Sequence, residues 1–207
     1  RKIVVFPELC ITGYTCNDLF LQELLLEKAK EALLTIVEET GQLEALFLVG
    51  LPVDKDGRLY NVAAVLYRGR ILGMIPKKNI PMYAEFYEGR HFTPGEETVT
   101  EYRLGKQEIP FGTNLLFRCE ELPELILGCE LCEDLWVAEP PSTSHALMGA
   151  TVIANLSASN ETVSKDDYRT LLVKASSARL LCGYIYTSAG EGESTQDLVF
   201  GGHDLIA

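Results

Sequence analysis

The stretch LILGCELCEDLW, residues 125–136, runs from an apolar segment into two cysteines three positions apart and an acidic pair. Its front half has the length and composition of a buried strand. Its back half puts Cys129, Cys132, Glu133 and Asp134 where that strand would end. Side chains that leave a sheet at a strand end enter the crevice where α/β proteins hold their ligands. Taken alone, the stretch reads as a metal or redox pair, as two buried thiols, or as one nucleophile with a bystander.

Working outward, KIVVF (2–6), ALFLVGLPV (45–53), NLLFR (114–118), ELILGCE (124–130), TVIANLS (151–157), YIYTSA (184–189) and DLVFGGHDLIA (197–207) read as strands, the last around a Gly-Gly turn. LYNVAAVLYRGRILGMIPK (59–77) reads as a hairpin turning at 68–70. Residues 17–41 carry Leu19, Leu26, Ala29, Leu33, Ile36 and Val37 at helical spacing, with Asn17 or Asp18 as the cap and Gly41 as the stop. Residues 142–150 read as a short helix and 166–183 as a longer one stopped by Gly183. Between them in character is NIPMYAEFYEGRHFTPGEE (79–97), rich in Pro, Gly and aromatics, a long loop with at most a short helix. Strands alternate with helices, but hairpins interrupt the alternation. The fold class is α/β with a mixed sheet.

The 207 residues suffice for one sizeable domain with a core. A net charge of −12, with no run of basic residues, argues against nucleic acid as a partner. No apolar stretch approaches the roughly 18–20 residues of a membrane helix, and the N-terminus lacks the features of a signal peptide. Six cysteines at this length suggest reduced thiols and a cytoplasmic protein. The chain starts on a strand without Met and stops on an apolar run, which leads us to expect a longer polypeptide.

Three reactive side chains each follow an apolar strand: Glu8 after IVVFP, Lys77 after GMIP and Cys132 after LILGCEL. Together they make a complete acyl-transfer set. A thiol is mostly protonated near neutrality and needs a base to become a nucleophile. A carboxylate can take that proton and return it to a leaving amine. An ammonium can stabilise the oxyanion formed at the attacked carbonyl. Histidine is not needed for this, and only His91, His145 and His203 are present. Singly, each of the three is more often a solvated loop residue or an inert thiol than a catalyst.

The blocks FPELCITGY (6–14), PKKNIPMYAEFYEGRHFTPG (76–95), GCELCEDLW (128–136), ANLSASNETVSKDDYR (154–169) and AGEGESTQDLVFGG (189–202) cover most of the chain. They resemble the glutamine amide-transfer domain of glutamine-dependent NAD synthetases, within the nitrilase or carbon–nitrogen hydrolase superfamily. EFYEGRHF and GEGESTQD are the blocks specific to the synthetase branch. The resemblance implies a four-layer α-β-β-α sandwich, truncated at both ends. It implies that residues 1–207 are part of a glutaminase domain, with the ATP-dependent synthetase domain absent from this chain.

The same resemblance assigns the Glu, Lys and Cys roles to Glu8, Lys77 and Cys132. Lys77 is chosen over Lys78 because it follows Pro76, and Cys132 over Cys129 because it precedes the Glu-Asp pair. A second glutamate, eight residues after the lysine, falls on Glu85, to orient the lysine or the substrate. Substrate contacts fall on Tyr83, Glu133, Ser159 and Lys165. Glu133 would pair with the glutamine α-ammonium and Lys165 with its α-carboxylate, where many relatives carry Arg. The implied partners are glutamine, a synthetase domain of the same polypeptide and further copies of the chain. No cofactor or metal is implied for the glutaminase half. ATP and Mg are expected in the synthetase domain. The alternatives are a free-standing amidase acting on another small amide, a metal or redox module on Cys129 and Cys132, and an inactive assembly piece. One CxxC gives only two metal ligands, and no second pair completes a tetrahedral site.

Overall fold

In the computed structural model, which describes residues 2–195 and 197–207, two mixed sheets lie face to face. Arg1 and Gln196, the latter inside the GEGESTQD block, lie outside the described residues. The first sheet has the order β1 (Lys2–Val5), β2 (Ala45–Lys55), β3 (Arg58–Tyr67), β4 (Arg70–Pro76), β6 (Gln107–Phe111), β5 (Thr100–Leu104). The pairs β1–β2 and β4–β6 are parallel and the others antiparallel. The second sheet has the order β11 (Leu205–Ile206), β10 (Gly183–Ser188), β9 (Val152–Ser157), β8 (Ile126–Leu131), β7 (Leu116–Arg118). Its three central strands are parallel and its two edge pairs antiparallel.

The period of two along each strand builds the layers. Leu48, Ala63, Val65 and Ile75 of the first sheet meet Leu127, Cys129, Leu131, Ala154 and Leu156 of the second. The alternate residues Val49, Leu51 and Val53 point outward, to Leu33 and Val37 of helix α1 (Glu23–Glu39). Because both faces are covered, β2 reads as one continuous apolar run. On the far side, Val173 of α3 (Lys165–Leu180) packs against Ile153, Tyr184 and Tyr186, and α2 (Pro141–Leu147) lies beside it with Ala146 at the same cluster. The result is the four-layer α-β-β-α sandwich. Among the described residues no helix is long and apolar enough to cross a membrane.

Three local expectations are corrected, and one hairpin was missed. Neither Asn17 nor Asp18 caps α1. Asn17 sits at φ 50° and opens a 3₁₀ turn, Asn17–Leu21, and the chain straightens at Gln22 before α1 begins. Asp18 instead accepts hydrogen bonds from Arg90 and lies 3.0 Å from His91 Nε2. Helix α3 ends at Leu180, followed by Leu181 in the left-handed region at φ 54°, and Gly183 starts β10. Residues 197–204 are irregular, and the strand is confined to Leu205–Ile206, with Ala207 continuing the backbone bonds to Tyr184. Finally, the sequence reading assigns nothing to 98–113, where β5 and β6 form a hairpin. Tyr102, Ile109 and Phe111 are its buried residues, too few for an apolar pattern.

Candidate active site

The carboxyl ends of β1, β4, β8 and β9 converge at one edge of the sandwich. Glu8 follows β1, Lys77 follows β4, Cys132 follows β8, and Ala158 to Asn160 follow β9. The two sheets are stitched there by the Glu8 N–H, which donates to the Ser157 carbonyl at 3.2 Å.

Lys77 is fully buried and its ammonium lies between two carboxylates, donating to Glu8 Oε1 at 2.7 Å and Glu88 Oε1 at 2.6 Å. Burial alone would lower its pKa, but Glu8 and Glu88 overcome that and hold it well above the ordinary lysine value. Glu88 is buried and takes a further hydrogen bond from Tyr14 Oη at 2.8 Å. Burial pushes its carboxyl up against the pull of Lys77. Glu8 Oε1 also accepts from Asn61 Nδ2 at 2.6 Å, and Glu8 Oε2 from the Ala158 N–H at 2.9 Å.

Cys132 is the first residue of a 3₁₀ turn, Cys132–Leu135, and takes φ 41°, a region that costs an L-residue about 1 kcal/mol or more. The thiol is buried, and burial followed by the charge of Glu8 pushes its pKa far above the ordinary thiol value, while Lys77 pulls it down. It rests as a neutral thiol with a carboxylate and an ammonium in electrostatic reach. The turn is held by Asp134. Its Oδ2 accepts the Leu131 N–H at 3.0 Å, and its Oδ1 accepts the backbone and side-chain N–H groups of Asn79, each at 2.8 Å. One carboxylate thus ties the cysteine turn to the loop that follows Lys77. Cys129, by contrast, is packed between the sheets. All six cysteines are free thiols, and among the described residues no three His, Cys, Asp or Glu side chains are grouped to hold a metal.

Around this cluster, Tyr83 Oη donates to Glu133 Oε2 at 2.9 Å. Lys165 Nζ hydrogen-bonds Asn160 Oδ1 and lies 5.2 Å from the Phe86 ring centre and 5.5 Å from that of Trp136. Burial lowers its pKa. Ser159 is buried, with its Oγ accepting from Arg169 Nη2 at 3.2 Å. Glu85 is exposed and accepts from Asn160 Nδ2. The carboxylate that hydrogen-bonds Lys77 from this loop is Glu88, while Glu85, expected to orient the lysine or the substrate, faces the Asn160–Lys165 pair. Sequence reasoning missed Glu88, Asn61, Tyr14 and Asp134. Asn61 carried a legible signal, as a lone amide within a buried apolar strand.

A family model described as carbon-nitrogen hydrolase matches residues 2–206. The glutamine-dependent NAD(+) synthetase of Mycobacterium tuberculosis is 45% identical over 204 residues, which are 99% of this chain and 30% of that protein. A crystal structure of a glutamine-dependent NAD(+) synthetase from Cytophaga hutchinsonii aligns with a TM-score of 0.88 at 30% identity, over 99% of this chain and 33% of that one. A nitrilase-superfamily amidase from Nesterenkonia aligns with a TM-score of 0.72 at 18% identity, over 99% of this chain and 68% of that one, a likeness of fold. The chain spans about a third of the length of the curated relatives it matches.

Proposed function

The chain belongs to the carbon–nitrogen hydrolase family, and from that premise we propose that it hydrolyses glutamine to glutamate and ammonia through a thioester on Cys132. The observation that carries this reading is the buried Glu8–Lys77–Glu88 cluster beside a neutral thiol. Cys132 Sγ attacks the side-chain amide carbon as Glu8 takes the thiol proton. The oxyanion is stabilised by the Lys77 ammonium and the Glu133 backbone N–H. Glu8 then gives its proton to the amide nitrogen, the C–N bond breaks, and ammonia leaves a glutamyl thioester. Water, deprotonated by Glu8, attacks the thioester; glutamate departs and the proton returns to the thiol.

Tyr83 and Glu133 receive the α-ammonium of glutamine, and Lys165 its α-carboxylate. Ser159 lines the same pocket, and Glu85 acts on Lys165 through Asn160. The 45% identity to a glutamine-dependent NAD(+) synthetase supports the use made of the ammonia. It passes to a synthetase domain outside this chain, which uses ATP and Mg to amidate deamido-NAD. The glutaminase half works without a cofactor, in a homo-oligomer in the cytoplasm. In the intact protein, Cys132→Ala abolishes NAD formation from glutamine and leaves formation from added ammonium intact. Equal turnover of simple aliphatic amides by the wild type would instead favour a free-standing amidase.

A further inference from the structure

Asn61 lies in the middle of β3, fully buried, in a run completed by Val62, Ala63, Ala64 and Val65. Its Nδ2 donates to Glu8 Oε1 at 2.6 Å and reaches Glu88 Oε2 at 3.5 Å. Its Oδ1 has no hydrogen-bond partner among the described residues. Turning the amide over would set that oxygen against both carboxylates, so their charge dictates its orientation. An amide that leaves a buried acceptor unpaired is a poor choice for stability alone.

Two carboxylates share one ammonium in this cluster, which leaves one excess negative charge shut away from water. Like charges so placed do not both ionise readily. The donors are divided unequally. Glu8 receives Lys77, Asn61 at 2.6 Å and the Ala158 N–H. Glu88 receives Lys77 and Tyr14, with Asn61 only at 3.5 Å. We propose that Asn61 is a positioning residue that assigns the proton within the pair, keeping Glu8 ionised and leaving Glu88 as the carboxyl that takes up a proton. This rests on the reading of Glu8 as the base for Cys132 and adds how that base is chosen from two carboxylates. The raised value of Glu88 accords with it. The groups facing the pair are Lys77 after β4, Tyr14 in the loop after β1, Cys132 and Glu133 after β8, the Ala158 N–H after β9 and Asn61 itself.

The test is the pH dependence of Cys132 alkylation by iodoacetamide in the intact protein, followed by mass spectrometry of the labelled peptide. Asn61→Ala moves the acidic limb of the rate up by about one pH unit, since one charge-assisted donor is lost from Glu8. Asn61→Leu, close in shape and without a donor, moves it the same way and serves if Asn61→Ala does not fold. Tyr14→Phe removes a donor from Glu88 and moves the limb down or leaves it in place. A limb unmoved by both Asn61 variants, or moved up alike by the Asn61 variants and Tyr14→Phe, overturns the proposal. Iodoacetamide needs no glutamine site. A protein that does not hydrolyse glutamine but shows the shifted limb loses the substrate reading and keeps this one.

Discussion

Glu85 and Glu88 sit three residues apart in one loop and do different work. Glu88 bonds Lys77 at 2.6 Å, while Glu85 bonds Asn160 beside Lys165. Glu88→Gln replaces the carboxyl that accepts from the lysine and lowers kcat for glutamine about 100-fold with little change in KM. Glu85→Gln raises KM and largely spares kcat. Steady-state kinetics on both variants checks this, and the reverse pattern would return the lysine to Glu85. Cys129→Ala removes a thiol from the layer between the sheets. It costs about 1 kcal/mol in urea unfolding and keeps glutamine hydrolysis. Glu8, Lys77 and Cys132 stood out by their places after apolar strands, and the family resemblance singled them out from neighbours such as Lys78 and Cys129. Glu88 and Tyr14 did not, and Asn61 showed only as a lone amide in an apolar strand, because such groups declare their role only when their neighbour in space is known.

At the scale of elements, strand β2 sets the place of Glu8. A Cβ on Gly50 would lie 2.4 Å from the Leu9 nitrogen and 2.7 Å from the Pro7 oxygen. Backbone cannot yield there as a flexible side chain would. Gly50→Ala therefore displaces the Pro7–Leu9 loop and lowers glutamine hydrolysis about 100-fold while far-UV circular dichroism stays native. Unchanged activity would show that Glu8 is placed by other contacts. The Cys132 turn depends in turn on Asp134, whose carboxyl burial, and then Glu130, raise from 3.8 to about 6. Between those two values the native protein keeps a proton that the unfolded chain has released. Stability from this group therefore falls as pH rises through the window and is level above it. The urea midpoint of the wild type relative to Asp134→Asn should decline from pH 4 to pH 6. A constant difference would contradict the assignment. The β5–β6 hairpin escaped the sequence because an edge hairpin buries one thin face, whereas β2 and β3, covered on both sides, announced themselves.

For the whole molecule, the layer between the sheets carries the fold. Leu156 is fully buried in it, at the end of β9 that leads to Ala158 and Ser159. Leu156→Ala costs about 2–5 kcal/mol, seen as a lower urea midpoint with an unchanged slope. A loss under about 1 kcal/mol would mean that the sheets close over the gap. The amino-acid sequence by itself determined most strands, both long helices, the mixed α/β character and three reactive side chains at strand ends. Those features are written in local periodicity and composition, which short segments hold without reference to one another. Only the tertiary structure decided that Glu88 rather than Glu85 holds Lys77 and that Asn61 reaches across to Glu8. Each of these depends on distances between segments brought together by the packing of two sheets, and the spacing of residues along one chain does not encode them.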